Sequence, residues 1–419
     1  MPTLSSSRLR LAPSLTIEQE DAQGVVIANI QTGSRVRISR SIHEIMHRFR
    51  APALVADVLS DRESALVEAI MKTLIEKGFL HNLDESPRVL TKISSNLMRV
   101  SPTLFRTPDL GSTEAPTDIA ILGIPYDGGN VVGAGARGGP QAIRTFSCEQ
   151  EYRVDFLTGA PIGWLDVDTM ERVLCGVTMC DWGDVRFTYG QSPQTLFDAI
   201  ESIIFNMIKR KSMPVCLGGD HSISYPLVKA LQSFRPINVV WFDGHTDCAR
   251  LSGSECHHHG NVVTRIVELP NVRHVLNIGF RNFAVGTLET IKKRNVSIVS
   301  PAILRAKGPE SVVDMLSQDP CYVSLDVDAL DAAFAPATST PVPDGLAPED
   351  IKSMLRALGA RRELVGMDVV ELNPLRDLSG ITAMRMCQMI TVFLNAAFRN
   401  RTRCDDRSAE RRRLANGNS

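Results

Sequence analysis

The sequence predicts an α/β protein of three layers, α/β/α, in which a parallel sheet of about eight strands lies between two layers of helices. Two observations predict this fold class. Between residues 117 and 398, short apolar runs alternate with segments of helical periodicity, which is the pattern of strands joined by crossover helices. Three of the apolar runs end in His and Asp residues, and ligand sites in parallel sheets lie at the carboxyl ends of strands.

The front of the chain has a different pattern, which predicts a small winged-helix-like domain. Two apolar runs flank Gln31-Thr32-Gly33 and predict a β-hairpin over 24–39. A short helix is expected over 41–49. In 61–77, apolar residues recur at helical spacing and predict a longer helix.

The larger part of the chain repeats strand and helix. The predicted strands are 118–124, 213–217, 237–243, 274–279, 296–299, 321–326 and 363–371. The predicted helices are 193–209, 225–234, 287–294, 309–316, 348–358 and 382–398. This alternation places the strands in one sheet, with their carboxyl ends at the same edge.

Changes in composition divide the chain into five segments. Residues 1–20 are expected to be a disordered leader, 21–83 the winged-helix-like domain, and 84–116 a linker rich in Ser, Pro and Thr. Residues 117–398 form the large α/β domain, and 399–419 are expected to be a disordered basic tail.

The composition bears on partners and location. A formal net charge of −1, from 46 basic and 47 acidic residues, leaves no electrostatic footprint for nucleic acid or an anionic membrane. No apolar stretch reaches the ~20 residues of a membrane-spanning helix. The nine cysteines are scattered, with no close pair, which favours a reduced protein of the cytoplasm.

Three clusters of His and Asp follow predicted strands and form the candidate metal site. The ligand candidates are His221, Asp243, His245, Asp247, Asp326 and Asp328. Asp243, His245 and Asp247 alternate directly after an apolar run, and alternate side chains of extended backbone share a face. The three groups therefore point into one space.

The charges of this set predict cations. Four of the six candidates are carboxylates, which repel one another in a shared pocket unless cations lie among them. Two divalent ions would balance the four charges. A ligand set dominated by oxygen, with a histidine at each end, favours Mn²⁺, and Ni²⁺ or another divalent metal is the alternative.

Six motifs occur in order along this domain. They are Gly135–Arg144, Gly218–Ser222, Asp243–Asp247, Ser324–Asp331, Ala335–Pro341 and Gly366–Glu371. The set resembles the ureohydrolase family of arginases and agmatinases, with the agmatinase branch nearer than the arginases proper. The resemblance implies an arginase-like fold and a binuclear-metal enzyme that cleaves a guanidino group to urea and an amine.

The resemblance also implies a role for each site residue. One Mn²⁺ is expected on His221, Asp243, Asp247 and Asp326, and the other on Asp243, His245, Asp326 and Asp328. Two such metals lower the pKa of a shared water and hold hydroxide ready at neutral pH, where Asp247 orients it. Glu371 is expected to pair with the guanidinium nitrogens. His259, in the run His257–His259, is expected to protonate the leaving amine.

The sequence departs from the family close to the expected substrate. Two residues beyond the position of Asp247, arginases carry an Asn that binds the α-carboxylate of free arginine, and here Ala249 stands there. This difference weakens free L-arginine as a substrate. Arg250 is either a clamp for a substrate carboxylate or a solvated loop charge.

The front domain bears on the choice of substrate. Residues 24–82 resemble the PqqD-like peptide-recognition domains that accompany enzymes modifying ribosomally made peptides, and an oligomerisation or capping subdomain is the alternative. If the domain binds a precursor peptide, the substrate is an arginine side chain within that peptide, which becomes ornithine.

Two other functions are also consistent with the sequence. One is hydrolysis of a small free guanidino compound such as agmatine, guanidinobutyrate or guanidine. The other is a metal-binding regulatory scaffold without enzymatic activity. Analogy with the ureohydrolases also implies a homo-oligomer, either a trimer or a hexamer.

Overall fold

The structure is a computed structural model of the 419-residue chain. It describes residues 7–11, 15–29, 34–50, 53–59, 65–77, 79–82, 96–110, 116–130, 132–188, 190–249, 258–281, 291 and 295–399. The chain forms two compact units, one of Met1–Asn96 with Arg186–Ser202 and one of Leu97–Val185 with Ile203–Ser419. The predicted helix at 287–294 (except Ile291), the tail after Arg399, and Arg250 lie outside the described residues.

The N-terminal part of the first unit is built from short strands and helices. They are β1 (Arg8–Leu11), β2 (Leu15–Asp21), β3 (Gly24–Asn29), β4 (Ser34–Ile38), α1 (Arg40–His47), β5 (Ala53–Leu54), α2 (Val55–Val58), α3 (Ala65–Glu76) and β6 (Leu80–Asn82). Strands β2, β3 and β4 form an antiparallel sheet in that order, and β1 lies between β5 and β6 in a second sheet. The antiparallel pairing of β3 with β4 confirms the hairpin predicted over 24–39.

The expected disordered leader is wrong for its described residues, because β1 and most of β2 lie within 1–20. Leu9 is fully buried in the core of this unit together with Phe49 and Phe79. Arg8–Leu11 alternates polar and apolar residues, but four residues are too short a pattern to distinguish a strand from an unstructured leader, and its pairing with two partners is not visible in the local sequence. The winged-helix-like classification of this unit stays a prediction.

From residue 97 onward, strands and helices alternate. The elements are β7 (Leu97–Met98), β8 (Ile119–Ile124), α4 (Gly139–Phe146), β9 (Trp164–Asp166), β10 (Glu171–Val173), β11 (Met179–Val185), α5 (Pro193–Lys209), β12 (Met213–Gly218), α6 (Ser224–Gln232), β13 (Ile237–Phe242), α7 (Val262–Ile266), β14 (Val272–Ile278), β15 (Val296–Val299), α8 (Pro301–Lys307), α9 (Pro309–Val313), β16 (Cys321–Asp326), α10 (Pro348–Arg361), β17 (Leu364–Val370) and α11 (Ile381–Phe398). Each predicted strand of this domain is present, with ends shifted by at most a few residues.

One large sheet organises the second unit. Within the described residues it has nine strands in the order β15-β14-β13-β16-β17-β12-β8-β11-β7. All pairings are parallel except that of β7 with β11 at one edge. The predicted α/β class with about eight parallel strands is therefore confirmed. Strands β13, β16 and β17 are buried along their whole length, as a sheet covered by helices on its faces requires.

Strand β11 was not among the predicted strands, and an ion pair explains why. Its sequence contains Asp181 and Asp184, which mask the apolar run. Arg144 is fully buried against them, with Nε 2.9 Å from Asp181 Oδ2 and one terminal nitrogen 2.5 Å from Asp184 Oδ1. Because the guanidinium satisfies both carboxylates, they are accommodated in a buried strand. Arg144 therefore has a structural role within the motif Gly135–Arg144.

Helix α11 is long and apolar enough, by length and composition, to cross a membrane. Its 18 residues are 56% buried inside the protein, and its buried side chains include Met386, Ile390 and Phe393. Packing against α10, α4 and β17 accounts for this apolar character, so the helix gives no evidence for a membrane.

Most cysteines in the described part of the chain are free thiols. They are Cys148, Cys180, Cys216, Cys248, Cys321 and Cys387. These six agree with the expected reduced state, whereas Cys175 is disulfide-bonded and departs from it.

Candidate metal centre

The predicted ligands lie at the carboxyl ends of neighbouring strands. Asp243 follows β13, Asp326 ends β16, Glu371 follows β17, and His221 lies three residues beyond β12. Because these strands are adjacent in the order β13-β16-β17-β12, segments distant in sequence open into one space. The structure brings together all six candidate ligands at this edge of the sheet.

The imidazole of His221 is the centre of the first group. Its Nδ1 lies 3.2 Å from Asp243 Oδ2, 3.2 Å from Asp247 Oδ2 and 3.1 Å from Asp326 Oδ2. The ring is buried, and Nδ1 has no hydrogen-bond partner among the described residues. A buried polar atom without a partner needs an explanation. A cation shared between this nitrogen and the three carboxylate oxygens provides one.

The second group shares one residue with the first. Nδ1 of His245 lies 3.0 Å from Asp328 Oδ2 and 3.6 Å from Asp243 Oδ1. The two oxygens of Asp243 thus face the two histidines. Backbone N–H groups fix the carboxylates, since Gly244 donates to Asp328 Oδ1 at 2.9 Å and Asp328 donates to Asp326 Oδ1 at 2.7 Å. The donor set, two imidazoles and four carboxylates in two overlapping groups, fits two divalent cations.

The raised pKa values of Asp247 and Asp326 support the same conclusion. Burial and the neighbouring Asp243 raise the pKa of Asp247 to about 7. Burial and repulsion by Asp328 and Asp243 raise the pKa of Asp326 well above its ordinary value. The protein alone therefore disfavours the charged forms of these groups, and divalent cations would remove that penalty.

A chain of hydrogen bonds behind His221 orients its ring. Nε2 of His221 lies 2.8 Å from Ser324 Oγ, which donates to Asp368 Oδ1 at 2.6 Å. Tyr322 donates to the other oxygen of Asp368 at 2.6 Å. Such contacts turn Nδ1 toward the metal side. Neither Ser324 nor Asp368 is among the site residues predicted from the sequence, although both lie inside motifs of the arginase-like set.

Glu371 connects the cluster to His259. Its Oε1 accepts the backbone N–H of His221 at 3.0 Å and lies 3.0 Å from Nδ1 of His259, and its Oε2 accepts from Asn130 Nδ2 at 3.2 Å. Burial opposes protonation of His259, but the hydrogen bond with Glu371 outweighs it and raises the pKa of His259. His258 instead accepts the N–H of Gly260 at 2.9 Å, so the structure distinguishes the two histidines.

Two site residues have unusual backbone conformations. Asp247 has φ 48° and Glu371 has φ 63°, in the left-handed region that residues with side chains rarely adopt. Such conformations cost about 1–3 kcal/mol and concentrate at functional sites. They direct both carboxylates to positions that regular strand or helix geometry would not provide.

Arg281 holds the loop that follows β16. One of its terminal nitrogens donates to the carbonyls of Asp328 at 2.7 Å and Val342 at 2.6 Å, and Nε donates to that of Pro343 at 2.7 Å. Arg281 is not among the site residues predicted from the sequence, because no ligand-type residue lies next to it in the chain. It fixes the backbone of a predicted ligand, Asp328, from the far side of the loop.

A cavity of about 340 Å³ opens onto the cluster. Its walls are Val132, His245, Thr246, Asp247, Cys248, Ala249, His259, Gly260, Phe280, Asp326, Asp328 and Thr340. Within the described residues, the charged groups of the wall are those of the metal cluster and His259. Ala249 lies on the wall as expected, whereas Arg250 lies outside the described residues.

Comparison with known proteins agrees with this geometry. The sequence profile of the arginase family matches residues 117–395. The chain belongs to the arginase family. It is 30% identical over 292 residues to proclavaminate amidinohydrolase of Streptomyces clavuligerus, covering 68% of this chain and 88% of the relative. It is 30% identical over 295 residues to guanidinopropionase of Pseudomonas aeruginosa, covering 68% and 87%.

Solved structures give the same result. The fold is similar to that of proclavaminate amidinohydrolase from Streptomyces clavuligerus, with a TM-score of 0.61 and 28% identity over 73% of this chain and 99% of that one. Family membership makes the chain a hydrolase of amidino carbon–nitrogen bonds whose substrate carries a guanidino group. The family works with a binuclear metal centre, which agrees with the two groups around Asp243.

Proposed function

We propose that this arginase-family hydrolase uses two Mn²⁺ ions to cleave a guanidino group to urea and an amine. The observation that carries the metal assignment is Asp243, which belongs to both groups of potential ligands. Oxygen atoms dominate the set, and this favours Mn²⁺ over softer metals. His221, Asp243, Asp247 and Asp326 would hold one ion; Asp243, His245, Asp326 and Asp328 would hold the other.

The chain's own residues then account for each step of hydrolysis. When bound, the two cations supply Lewis acidity that makes water a nucleophile at neutral pH. Asp247, directed into the site by its backbone conformation, accepts a hydrogen bond from that water and orients it toward the planar guanidinium carbon. A carbon–oxygen bond forms, and one carbon–nitrogen bond later breaks.

Glu371 and His259 complete the reaction. The carboxylate of Glu371 attracts the guanidinium and aligns its plane through charge-assisted hydrogen bonds. The pairing with Glu371 raises the pKa of His259, which favours protonation of its ring, and the protonated ring can deliver a proton to the leaving nitrogen. The products are urea and a protonated amine.

Release of urea tests this function. Purified protein loaded with Mn²⁺ is incubated with agmatine, guanidinobutyrate, guanidine and an arginine-containing peptide, and urea is measured against metal-stripped protein. Metal-dependent urea from any of these supports the proposal. If protein that holds two metal ions per chain releases no urea from any of the four compounds, a metal-binding regulatory scaffold would be favoured.

Two substrate classes are candidates, and a groove in the first unit supports a peptide. A groove of about 440 Å³ in that unit is lined by β4, α1 and α3, including Ile38, Ile42 and Ile70. Strand β4 is at the edge of its sheet in the described residues, so its outer backbone groups can pair with an extended chain. We therefore propose that the groove binds a precursor peptide whose arginine is converted to ornithine.

The small-molecule alternative has its own support. Relatives that span most of this chain's catalytic domain are named for free guanidino compounds or agmatine. The wall of the cavity includes small or apolar side chains such as Val132, Ala249 and Phe280 beside the polar groups of the cluster. Such a wall accepts the methylene chain of a free guanidino compound as well as that of a peptidyl arginine.

Variants in the groove separate the two substrate classes. Ala69 and Thr73 line the groove and are exposed on α3, so Ala69→Glu and Thr73→Glu leave the core intact. If the substrate is a peptide, each raises KM for long arginyl peptides about tenfold while activity on agmatine is unchanged. Lys72→Glu, an exposed change outside the groove, is the matched control. Equal KM values in all variants would favour the small-molecule substrate.

Two further expectations remain part of the proposal. We propose a trimer or hexamer, which mass photometry of the purified protein at nanomolar concentration tests. We also propose a cytoplasmic location, supported by the six free thiols. Fractionation of cells producing a tagged full-length chain checks this location.

A further inference from the structure

Asn130 joins the cavity wall to Glu371. Its Nδ2 donates to Glu371 Oε2 at 3.2 Å, across 241 positions of sequence. Its Oδ1 accepts the backbone N–H of Val132 at 2.9 Å and that of Gly133 at 3.1 Å. Val132 lines the cavity and is 61% exposed. A single amide group therefore touches both the proposed guanidinium acceptor and the wall beside the substrate.

We propose that Asn130 is a positioning residue for the guanidino substrate, acting through Glu371. The inference rests on the proposed role of Glu371. Oε1 of Glu371 is held by His221 and His259, whereas Asn130 is the donor to Oε2 among the described residues. The terminal torsion of a Glu side chain is soft, so the plane of the carboxylate depends on a donor at each oxygen. Asn130 fixes that plane before the planar guanidinium arrives.

The loop of the wall is also held without Asn130. Ser339 Oγ donates to the carbonyl of Gly133 at 3.2 Å, and Asn373 Nδ2 donates to that of Ala134 at 3.3 Å. The hydrogen bond to Glu371 is therefore separable from the anchoring of the loop. A change that removes only the donor of Asn130 leaves the loop in place.

Asn130→Asp keeps the loop contacts, removes the donor and adds a negative charge beside Glu371. The new carboxylate keeps an oxygen for the N–H groups of Val132 and Gly133 but places a second oxygen, in place of the donor, toward Glu371. We expect KM for the guanidino substrate to rise about tenfold or more, because the hydrogen bond to Glu371 is lost and the two neighbouring carboxylates repel each other, which turns Glu371 away from its position, while kcat changes less. Metal content and the melting temperature should stay at wild-type values. Ser339→Ala, which loosens the same loop but keeps the donor, should hold KM within about threefold of wild type.

A double-mutant cycle with Glu371→Gln shows whether Asn130 acts through Glu371. If it does, Asn130→Asp has little further effect on KM once Glu371 is changed, and the two effects are not additive. Additive effects, an unchanged KM in Asn130→Asp, or loss of metal in that variant would each overturn the inference.

Binding of guanidinium chloride distinguishes failure of this inference from failure of the proposed function. Calorimetry on the Mn²⁺-loaded protein measures this binding. Because guanidine is itself a candidate substrate, urea is assayed in the same samples, and only titrations in which none has accumulated are compared. If no substrate yields urea but Asn130→Asp weakens guanidinium binding about tenfold, the positioning role stands and the proposed function falls. If urea is released and the variant binds guanidinium as the wild type does, the positioning role falls and the proposed function stands.

Discussion

The indole of Trp241 stacks on the imidazole of His221 and donates to Asp243. The ring centroids lie 4.0 Å apart with planes 6° from parallel, and Nε1 of Trp241 lies 2.9 Å from Asp243 Oδ2. One side chain at the end of β13 therefore supports a candidate ligand in each of two chain segments. Because it is fully buried, it also keeps water away from that side of the cluster.

Trp241→Phe should weaken metal binding while keeping the fold. Phenylalanine retains the stacking surface but removes the donor to Asp243, and loss of such a supporting contact typically lowers metal affinity about 10- to 100-fold. Titration of metal-stripped protein with Mn²⁺ measures the change. Trp182→Phe, a buried tryptophan on β11, controls for the loss of an indole from the same sheet, and equal metal affinity in the two variants would contradict the prediction.

Asp243→Ala should remove both metals. The residue belongs to both groups of potential ligands, so its loss would remove one carboxylate ligand from each of the two ions. The metal content, measured by elemental analysis after dialysis, should fall from about two ions per chain to nearly none. The rate of urea release should fall to background. A variant that keeps two ions would show that the bridging assignment is wrong.

The apolar run that ends at Phe242, with Asp and His residues directly after it, made the metal cluster predictable from local sequence. The expectation that Asp243, His245 and Asp247 alternate along extended backbone is wrong, because β13 ends at Phe242 and Asp247 has φ 48°. Parallel strands then bring ligands from β12, β13 and β16 to one edge, and this follows from the fold class. The part of the site that depends on local pattern and topology was therefore within reach of the sequence.

The contacts that support the ligands could not be predicted from the sequence, because they join residues that are far apart in the chain and share no pattern. Asn130 and Glu371 are 241 positions apart, and Ser324 and Asp368 meet across two adjacent strands. Strand β11 was missed for the opposite reason: its carboxylates look like loop residues until the buried Arg144 pairs with them. Side-chain pairing across the fold is what local periodicity cannot show.

His259→Ala should slow turnover without removing metal. The imidazole touches Glu371 but is not in either ligand group, so the metal content should stay at the wild-type value. Loss of a proton donor of this kind costs roughly 100-fold or more in kcat. His258→Ala is the matched control, because this neighbour contacts only the backbone of Gly260 among its recorded hydrogen bonds. Equal kcat values for the wild type and His259→Ala would assign proton transfer to another group.

Metal-free protein should lose stability as pH rises from about 4 to about 8. Burial raises the pKa of Asp247 to about 7, above its value in the unfolded chain, so the folded state binds more protons than the unfolded state across this interval. Burial opposes protonation of His245, but its contacts with Asp243 and Asp328 outweigh it and raise its pKa to about 12. The folded protein thus also keeps a proton that the unfolded chain releases near pH 6.5. The free energy of unfolding decreases as pH rises wherever the folded state binds more protons than the unfolded state.

Divalent cations should reverse this trend, because they replace the protons and favour the ionised carboxylates. We expect the melting temperature of metal-stripped protein to fall between pH 5 and pH 8, and that of Mn²⁺-loaded protein to rise over the same interval. Calorimetric scans of both forms in matched buffers measure this. Asp247→Asn is the control, because it removes one titrating carboxyl and should flatten the metal-free profile. Parallel profiles for the two forms would mean that these carboxylates do not share their site with metal.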